Sequence, residues 1–465
     1  IKVELTGSNI RFYLDNQLVQ AVVPSPPQRD FGHALIPDLV ADPSITEING
    51  TFYIYATTDG AGNGLATSGL PVVWKSKDFL NWCFSGSLFP SDYDAKYWAP
   101  SAPVLKNGRY YLFPTLDNRI TVLVSNSPDG PFLSLDGKSI NKSSGWRPFP
   151  ITVGHPIDAD ILHDDDGSYY MVWSQRYIAR LNSDFTGFDG KPVLISTKRT
   201  GYSEGPALVK RNGIYYYFYT LGGNEHYQYA YMMSHSSPLG PWQAADNDII
   251  LTSDVGQGIF GPGHGCFFHP QGSDQWYCIY LEYGRAGTNR QIHADKLNFN
   301  PDGTIQPVRL TLNGVGAIQQ DPNYTQPNLA LAKHATASST MSDLPIPWNQ
   351  DARLNRIEGF SPENALDDSN GSRWMAASGD QTPWFQLDLG KDEDIHRTEL
   401  YFVKPTAGHA YRLEYSPDGA AWNPYGGHDD IRVQSPHVDK KPVRARYLKL
   451  TILKGTPGLW DFRVY

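Results

Sequence analysis

The chain of 465 residues is poor in cysteine, in basic clusters and in long apolar runs. Three cysteines, Cys83, Cys266 and Cys278, are too few and too odd in number for a disulfide framework. Cys266 and Cys278 can pair if they fall on neighbouring strands; otherwise all three are buried thiols. Lys and Arg form no cluster, and 39 basic against 48 acidic residues leave a formal charge of −9. Nucleic acid and anionic membranes are therefore poor partners. No apolar stretch approaches the roughly 18–20 residues of a membrane-spanning helix. No leader is visible, but the chain starts at Ile1 without Met, which fits a removed leader and a secreted, periplasmic or cell-surface monomer. Sequons at Asn49, Asn141, Asn323 and Asn370 are weak signals in an Asn-rich chain.

What is abundant is aromatic and turn-forming: 28 Tyr, 20 Phe and 12 Trp, with 43 Gly and 35 Pro. Short aromatic and β-branched runs between frequent turns predict an all-β protein, long enough for two domains. One unit recurs along the first two thirds. "NGTFYIYATTDG" begins at Asn49, "NGRYYLFPTLDN" at Asn107, "DGSYYMVWSQRY" at Asp166 and "NGIYYYFYTLGG" at Asn212. A looser copy, "SDQWYCIYLEYG", begins at Ser273. Each is a tight-turn dipeptide followed by an aromatic strand. A second strand with a shared polar ending usually follows, as in "TVLVSNSPDGPF" and "YAYMMSHSSPLGPW". Five such units of about 45–60 residues predict a five-bladed β-propeller.

In a propeller the strand before each turn lines the central axis. At matching offsets before the five turns stand Asp42, Trp98, Asp158, Glu204 and His264. Three carboxylates, a Trp and a His should therefore converge at one end of the axis. Acids on an inner strand are costly unless paired or used. Paired carboxyls across a cleft can act as acid and base on a glycosidic bond, and a third raises the pKa of the acid. Tyr97 and Trp98, with Trp173, are candidate platforms for sugar rings. The competing use of the acids is Ca²⁺ or Mg²⁺ binding, but such ligands usually lie close together in sequence. "HDDDGSYY" places Asp164 and Asp165 beside a turn, where capping in water is expected. His264 can contact a central ion or water.

The ordered motifs "ADPSI", "YWAPSAPVLKNGRYYLF", "IDADILHDDDGSYYMVW", "SEGPALVKRNGIYYYFYT" and "GPGHGCFF" resemble glycoside hydrolase family 43, from about Asp42 to Asn300. The resemblance implies a propeller with a funnel-shaped site and an inverting reaction. It implies Asp42 as general base, Glu204 as general acid and Asp158 as the group that tunes and orients the acid. "NRQIHADKL" is similar to a late Arg-containing strand of the family, which makes Arg290 a partner for substrate or carboxylate. His264 of "GHG" matches a position near a central water or calcium. Asp160, on the same face as Asp158 by alternation, is the rival for the modulator role. No cofactor is required, and a structural calcium is the one ion to look for.

After Ile318 the texture changes. Residues 1–30 read as an N-terminal segment with a hairpin that closes the ring or tethers the tail. Residues 31–318 are the catalytic propeller, 319–327 a linker and 328–465 a second domain. "NLALAKHATASS", "ENALDDSNGSRWMAASGDQTPWFQLDLG", "YRLEYSPDGAAWNPY" and "ARYLKLTI" resemble the discoidin-like, coagulation factor 5/8 type C domain, a β-sandwich jelly roll shared with carbohydrate-binding modules. There Trp374, Trp384 and Trp422 fall in positions that pack the core, and a binding face would lie on loops around Trp348 and Arg353. Calcium near Asp367 is a further expectation. The expected activity is exo-hydrolysis of plant polysaccharide side chains or oligosaccharides by an α-L-arabinofuranosidase or β-xylosidase, with β-galactofuranosidase as the alternative. A retaining fructosidase-like propeller would carry an "NDPN"-like start and an "RDP" motif, and neither is present. A lectin-like propeller is the non-enzymatic rival.

Overall fold

The computed structural model describes residues 33–59, 69–141, 143, 146–223, 226–254, 259–285, 289–346 and 356–465, and the backbone of three strands within 2–22. Regular structure is almost entirely strand, with short 3-10 turns such as Pro322–Tyr324 and Pro405–Ala407. The all-β expectation holds.

Five antiparallel sheets follow one another in chain order. Sheet I comprises Val40–Ile48, Thr51–Thr58 and Val73–Ser76. Sheet II comprises Val104–Lys106, Arg109–Leu112, Leu123–Ser125 and Leu133–Ser134, with a small sheet of Tyr97–Trp98, Thr115–Leu116 and Arg119–Ile120 beside it. Sheet III runs from Asp160–His163 to Val193–Leu194, sheet IV from Ala207–Arg211 to Ile249–Leu251, and sheet V from Gly263–Phe268 to Asn289–Leu297. Each of the recurring turns joins the first two strands of its sheet. Asn49-Gly50, Asn107-Gly108 and Asn212-Gly213 have positive φ at both residues, the backbone that matches the twist of a two-residue hairpin.

Alternation sends the aromatic residues of each strand to opposite faces, so every sheet shares a core with the sheets on both sides. Tyr55 and Val73 of sheet I pack with Leu112 and Leu123 of sheet II. Phe113 then packs with Met171 and Trp173, and Val172 with Tyr217 and Tyr219. Phe218 and Tyr229 of sheet IV meet Phe267 and Tyr280 of sheet V. The last core joins Phe268, Ile279 and Leu281 of sheet V to Val40, Phe52 and Ile54 of sheet I.

Cys266 and Cys278 are free, buried and on adjacent strands. Cys278 pairs with Phe267, so the two thiols face different cores, Cys266 that between sheets V and I and Cys278 that between IV and V. Asp164 is no water-solvated cap. It is buried and accepts from Lys210 Nζ at 2.5 Å and Tyr215 Oη at 2.8 Å, which ties sheet III to sheet IV. Asp165 is the exposed member of the pair.

The N-terminal hairpin is present. Asn9–Leu14 pairs with Gln17–Val22, and Lys2–Thr6 adds a third strand. Among the described residues these strands pair with each other and not with the five sheets. Residues 23–32 lie outside the described residues.

The C-terminal sheet has the order Trp374–Met375, Gly458–Val464, Trp384–Phe402, His437–Lys454, His409–Ser416 and Asn423–Arg432. Its two longest strands change register at Asp388/Glu393 and Ile395/Arg397 and wrap around a core that includes Trp374, Phe385, Leu448 and Phe462. Trp374 packs as expected, but Trp384 and Trp422 are half-buried on the outer face, flanking Lys449 Nζ at 5.1 and 5.6 Å. The strand alternation that buries Phe385 turns Trp384 outward. Trp348 and Arg353 lie outside the described residues. Asp367 is engaged locally, by Ser369 N and Ser372 Oγ.

The tail is joined to sheet I by Gln434–Ser435, which pairs with Phe84–Ser85, and by a small core of Leu39, Tyr401, Val403 and Trp460. Asn370 Nδ2 donates to the carbonyls of Ala34 and Leu35 at 3.1 and 3.3 Å, so this sequon nitrogen is already engaged.

One consequence is measurable. Denatured without reductant, the chain should titrate three thiols, and added reductant should leave its melting temperature unchanged.

Candidate functional site

The first strand of each of the five sheets, or the segment leading into it, carries one residue in the left-handed region. These are Asp42 (φ 52°), Ala99 (φ 35°), Asp158 (φ 60°), Gly205 (φ 53°) and His264 (φ 33°). Four of the five are not glycine, and such strain persists only where the surroundings over-determine it. The register expected from the sequence is thereby sharpened: in sheets II and IV the equivalent residues are Ala99 and Gly205. Trp98 and Glu204 each stand one place earlier. A Cβ on Gly205 would collide with the His264 ring.

A set of hydroxyls at or just beyond the ends of the second strands holds the backbone at Ala99, Asp158 and Glu204. Thr57 Oγ1 of sheet I accepts from Ala99 N of sheet II at 2.8 Å. Thr115 Oγ1, on the small sheet beside sheet II, accepts from Asp158 N, which leads into sheet III, at 3.0 Å. Thr220 Oγ1 accepts from Glu204 N at 3.3 Å and donates to the Glu204 carbonyl at 2.5 Å. Ser174 Oγ donates to Asp158 Oδ2 at 3.0 Å, and Gly205 N donates to the same oxygen at 3.2 Å.

The structure brings Asp42, Asp158, Glu204, His264 and Arg290 together. Asp42 accepts from Thr57 Oγ1 at 2.7 Å on Oδ2, and its Oδ1 lies 3.1 Å from Arg290 Nη1 and 3.2 Å from His264 Nδ1. Arg290 is 3% exposed and also grips Asp59 with two parallel bonds of 2.9 and 2.8 Å. Glu204 Oε2 accepts from Tyr202 Oη at 3.0 Å.

These surroundings push the acids apart. Burial raises the pKa of Glu204 to about 7, and the charges of Asp158 and Asp42 add to the rise. Burial also acts on Asp42, but the charges of Arg290 and His264 and the bond from Thr57 outweigh it and hold it below the ordinary value. Asp158 is raised, by burial first and by the charge of Asp42, against the opposing His264 charge and Gly205 N–H. Near neutral pH one carboxylate is thus ionised while another is poised to carry a proton, the division of labour that acid–base chemistry requires.

Asp160 is also buried and raised, to about 6 by burial, but it accepts from Leu208 N at 2.8 Å and braces sheet IV. The charge acting on Glu204 most strongly is that of Asp158.

Two expected sugar platforms are corrected. Tyr97 is 0% exposed and packs edge-on to Phe89 between sheets I and II. Trp173 is also 0% exposed, donates to the Val153 carbonyl at 3.0 Å and stacks on Tyr177 and Phe188. Both sit on strand faces that alternation turns into the inter-sheet cores. Trp98 is half-buried, and Tyr202 is exposed.

Sequence reasoning missed Asp59, Tyr202 and the hydroxyl set. For the hydroxyls a signal was present: Thr57, Thr115, Ser174 and Thr220 each stand eight residues after the first residue of their turn. Asp59 follows the second strand of sheet I, and its N–H bonds to the Leu39 carbonyl, three residues before Asp42. The hairpin register alone places it at the end of the sheet that carries Asp42.

A cavity of about 20 Å³ is lined by Asp42, Asp158, Asp160 and His264 with residues including Pro43, Ala99 and Pro206, room for one water. Calcium takes 6–8 oxygen ligands. Here His264 Nδ1 faces Asp42, and Asp160 is held by Leu208. Among the described residues no group of three or more His, Cys, Asp or Glu is arranged to hold a metal ion.

The family model for glycosyl hydrolases family 43 matches residues 31–305, and that for the F5/8 type C domain matches residues 334–462. A solved structure described as a glycoside hydrolase is 49% identical, with a TM-score of 0.89, and the match covers 94% of this chain and 100% of that one. A beta-D-galactofuranosidase of Aspergillus niger is 28% identical over 309 residues, 61% of this chain and 86% of its own. An arabinoxylan arabinofuranohydrolase of Bacillus subtilis is 28% identical over 345 residues, 62% of this chain and 66% of its own.

Removing Asp59 would leave the buried Arg290 guanidinium half-paired. Asp59→Ala is expected to lose about 3 kcal/mol of stability or more, measured by urea unfolding. Thr57→Val is expected to lose about 1 kcal/mol.

Proposed function

Because the chain belongs to glycosyl hydrolases family 43, we propose that it is an inverting exo-glycosidase of plant polysaccharide side chains or oligosaccharides, with Asp42 and Glu204 as its catalytic pair. The observation that carries this reading is the opposite displacement of the two acids: Asp42 is held ionised beside Arg290, and Glu204 is raised to about 7.

The mechanism follows from that asymmetry. Asp42 takes a proton from water as the water attacks the anomeric carbon. Glu204 delivers its proton to the leaving oxygen from the other side. Asp158 keeps the Glu204 proton bound through its negative charge, and Ser174 with Gly205 N–H fixes its orientation. Inversion requires the two carboxyls to stand roughly 6.5–9.5 Å apart, leaving room for the water. The cyclic sequence of shared cores, ending with sheet V on sheet I, supports a five-bladed propeller as the frame. The match to the F5/8 type C domain supports a sandwich-like jelly roll for the tail.

For the sugar, similarity to the arabinoxylan arabinofuranohydrolase supports an α-L-arabinofuranosidase, with β-xylosidase activity beside it. A second reading, β-galactofuranosidase, is favoured by similarity to the Aspergillus niger enzyme, most of whose length is matched. No helix among the described residues is long and apolar enough to cross a membrane, and action on extracellular polymers fits a secreted enzyme.

A panel of 4-nitrophenyl α-L-arabinofuranoside, β-D-xylopyranoside and β-D-galactofuranoside should show one strongly preferred substrate. NMR during its turnover should show the inverted anomer first; initial retention would overturn the mechanism.

The pH dependence has a definite sign. Glu204 must be protonated, so kcat/KM should fall as pH rises through about 7. Asp42 must be ionised, so the acid limb should fall only below the ordinary carboxylate range. Glu204→Gln should lose about 10²–10⁴-fold on substrates with poor leaving groups and lose the basic limb.

A further inference from the structure

Glu204 has two carboxyl oxygens, and only the one facing the leaving group can deliver a proton to it. Among the described residues, Tyr202 is the side chain that hydrogen-bonds this carboxyl, with its Oη 3.0 Å from Oε2. Tyr202 is 47% exposed, so its ring belongs to no core, and the hydroxyl reaches back to Glu204 from the surface. The other anchor of Glu204 is its backbone, held at N and O by Thr220. The backbone is thus fixed from below while the carboxyl is held from Tyr202.

The chemistry of the pair gives this contact a direction. A phenol oxygen is a weak acceptor, because a lone pair is conjugated into the ring, while its O–H is a good donor. In a carboxylic acid the carbonyl oxygen is the better acceptor. When Glu204 is protonated, the favoured arrangement has Tyr202 donating to Oε2 and the acid proton on Oε1.

We propose that Tyr202 is a positioning residue that selects the proton-donating oxygen of Glu204, holding Oε2 as acceptor and confining the transferable proton to Oε1. The proposal deepens the reading of Glu204 as general acid and rests on it. In the step, the electron pair of the C1–O bond passes to the leaving oxygen as that oxygen takes the Oε1 proton. Attacking water supplies the new C1–O bond and gives its proton to Asp42. Glu204 is left as a carboxylate, whose new charge the Tyr202 O–H meets directly. The hydrogen bond becomes charge-assisted as the proton leaves, so it is stronger in the transition state than in the ground state, the condition for raising kcat. The same bond favours the ionised form of Glu204, so its loss should shift the acid upward.

The test compares Tyr202→Phe with wild type on two glycosides of the sugar that the aryl panel identifies: the 2,4-dinitrophenyl glycoside, which needs little acid assistance, and the methyl glycoside, which needs full protonation. Tyr202→Phe should lower kcat on the methyl glycoside about tenfold or more and leave the dinitrophenyl rate within about twofold, with KM unchanged on both. The basic limb of kcat/KM should move to higher pH. Equal losses on the two substrates, a loss confined to KM, or an unmoved basic limb would overturn the proposal. Glu204→Gln, run alongside, separates the two readings. If it loses both substrates equally, the acid assignment falls and this inference with it. If it loses the methyl glycoside selectively while Tyr202→Phe does not, only the role of Tyr202 falls.

Discussion

The buried guanidinium of Arg290 is the interaction on which the rest depends. It lies on an outer strand of sheet V and reaches Asp42 and Asp59 of sheet I. It therefore stands at the seam where the last sheet meets the first, beside the core of Phe268, Ile279, Phe52 and Ile54. A buried cation with a single carboxylate partner would leave Asp42 fully neutralised; a buried carboxylate pair without a cation would not ionise together. One Arg shared between two acids satisfies both limits. Asp59 takes the bidentate fork and Asp42 a single contact, which leaves Asp42 lone pairs free for water. The constraint that joins sheet V to sheet I is also the one that keeps the proposed base charged.

The acids are held by backbone as much as by charge. Asp42, Asp158 and His264 sit in the left-handed region, where non-glycine residues pay a conformational cost. Hydroxyls from the neighbouring sheets satisfy the N–H groups of Asp158 and of Ala99, which shares this conformation, and a buried N–H left without a partner would carry a cost comparable to that of the bend. The arrangement passes from sheet to sheet: Thr57 serves sheet II, Thr115 serves sheet III, and Asp158 itself receives Gly205 N of sheet IV. Geometry at one acid is therefore coupled to the packing of its neighbour, and the short turns and aromatic cores between the sheets contribute to positioning.

The tail is bound into this frame rather than appended to it. Gln291 Nε2, next to Arg290, donates to the Asn370 carbonyl at 3.0 Å, and Arg463 Nη1 donates to Asn81 Oδ1 at 2.6 Å. Leu39, three residues before Asp42, is packed against Tyr401 and Trp460 of the tail. The second domain thus buttresses the same corner of the first that carries Arg290, Asp42 and Asp59.

The sequence alone determined the all-β class, the five repeated units, the change of texture after Ile318 and the three acids that converge. These are consequences of local chemistry. Asn-Gly turns need positive φ, alternation needs aromatic strands, and acids in register on inner strands need a use. It also held the hydroxyl eight residues after four of the turns, a signal visible in the repeats. What only the tertiary structure decided is which face each aromatic takes and which oxygen each acid offers. Tyr97 and Trp173 lie on strands whose alternation buries them between sheets, whereas Tyr202 lies outside any strand and is left exposed beside Glu204. The pairing of Arg290 with Asp59 joins residues 231 positions apart, a distance over which no periodicity speaks. The opposite pKa displacements of Asp42 and Glu204 likewise arise from burial, which raises Glu204, and from charges on other sheets, which outweigh burial at Asp42, because a carboxyl's acidity is set by what surrounds it in space and not by its neighbours along the chain.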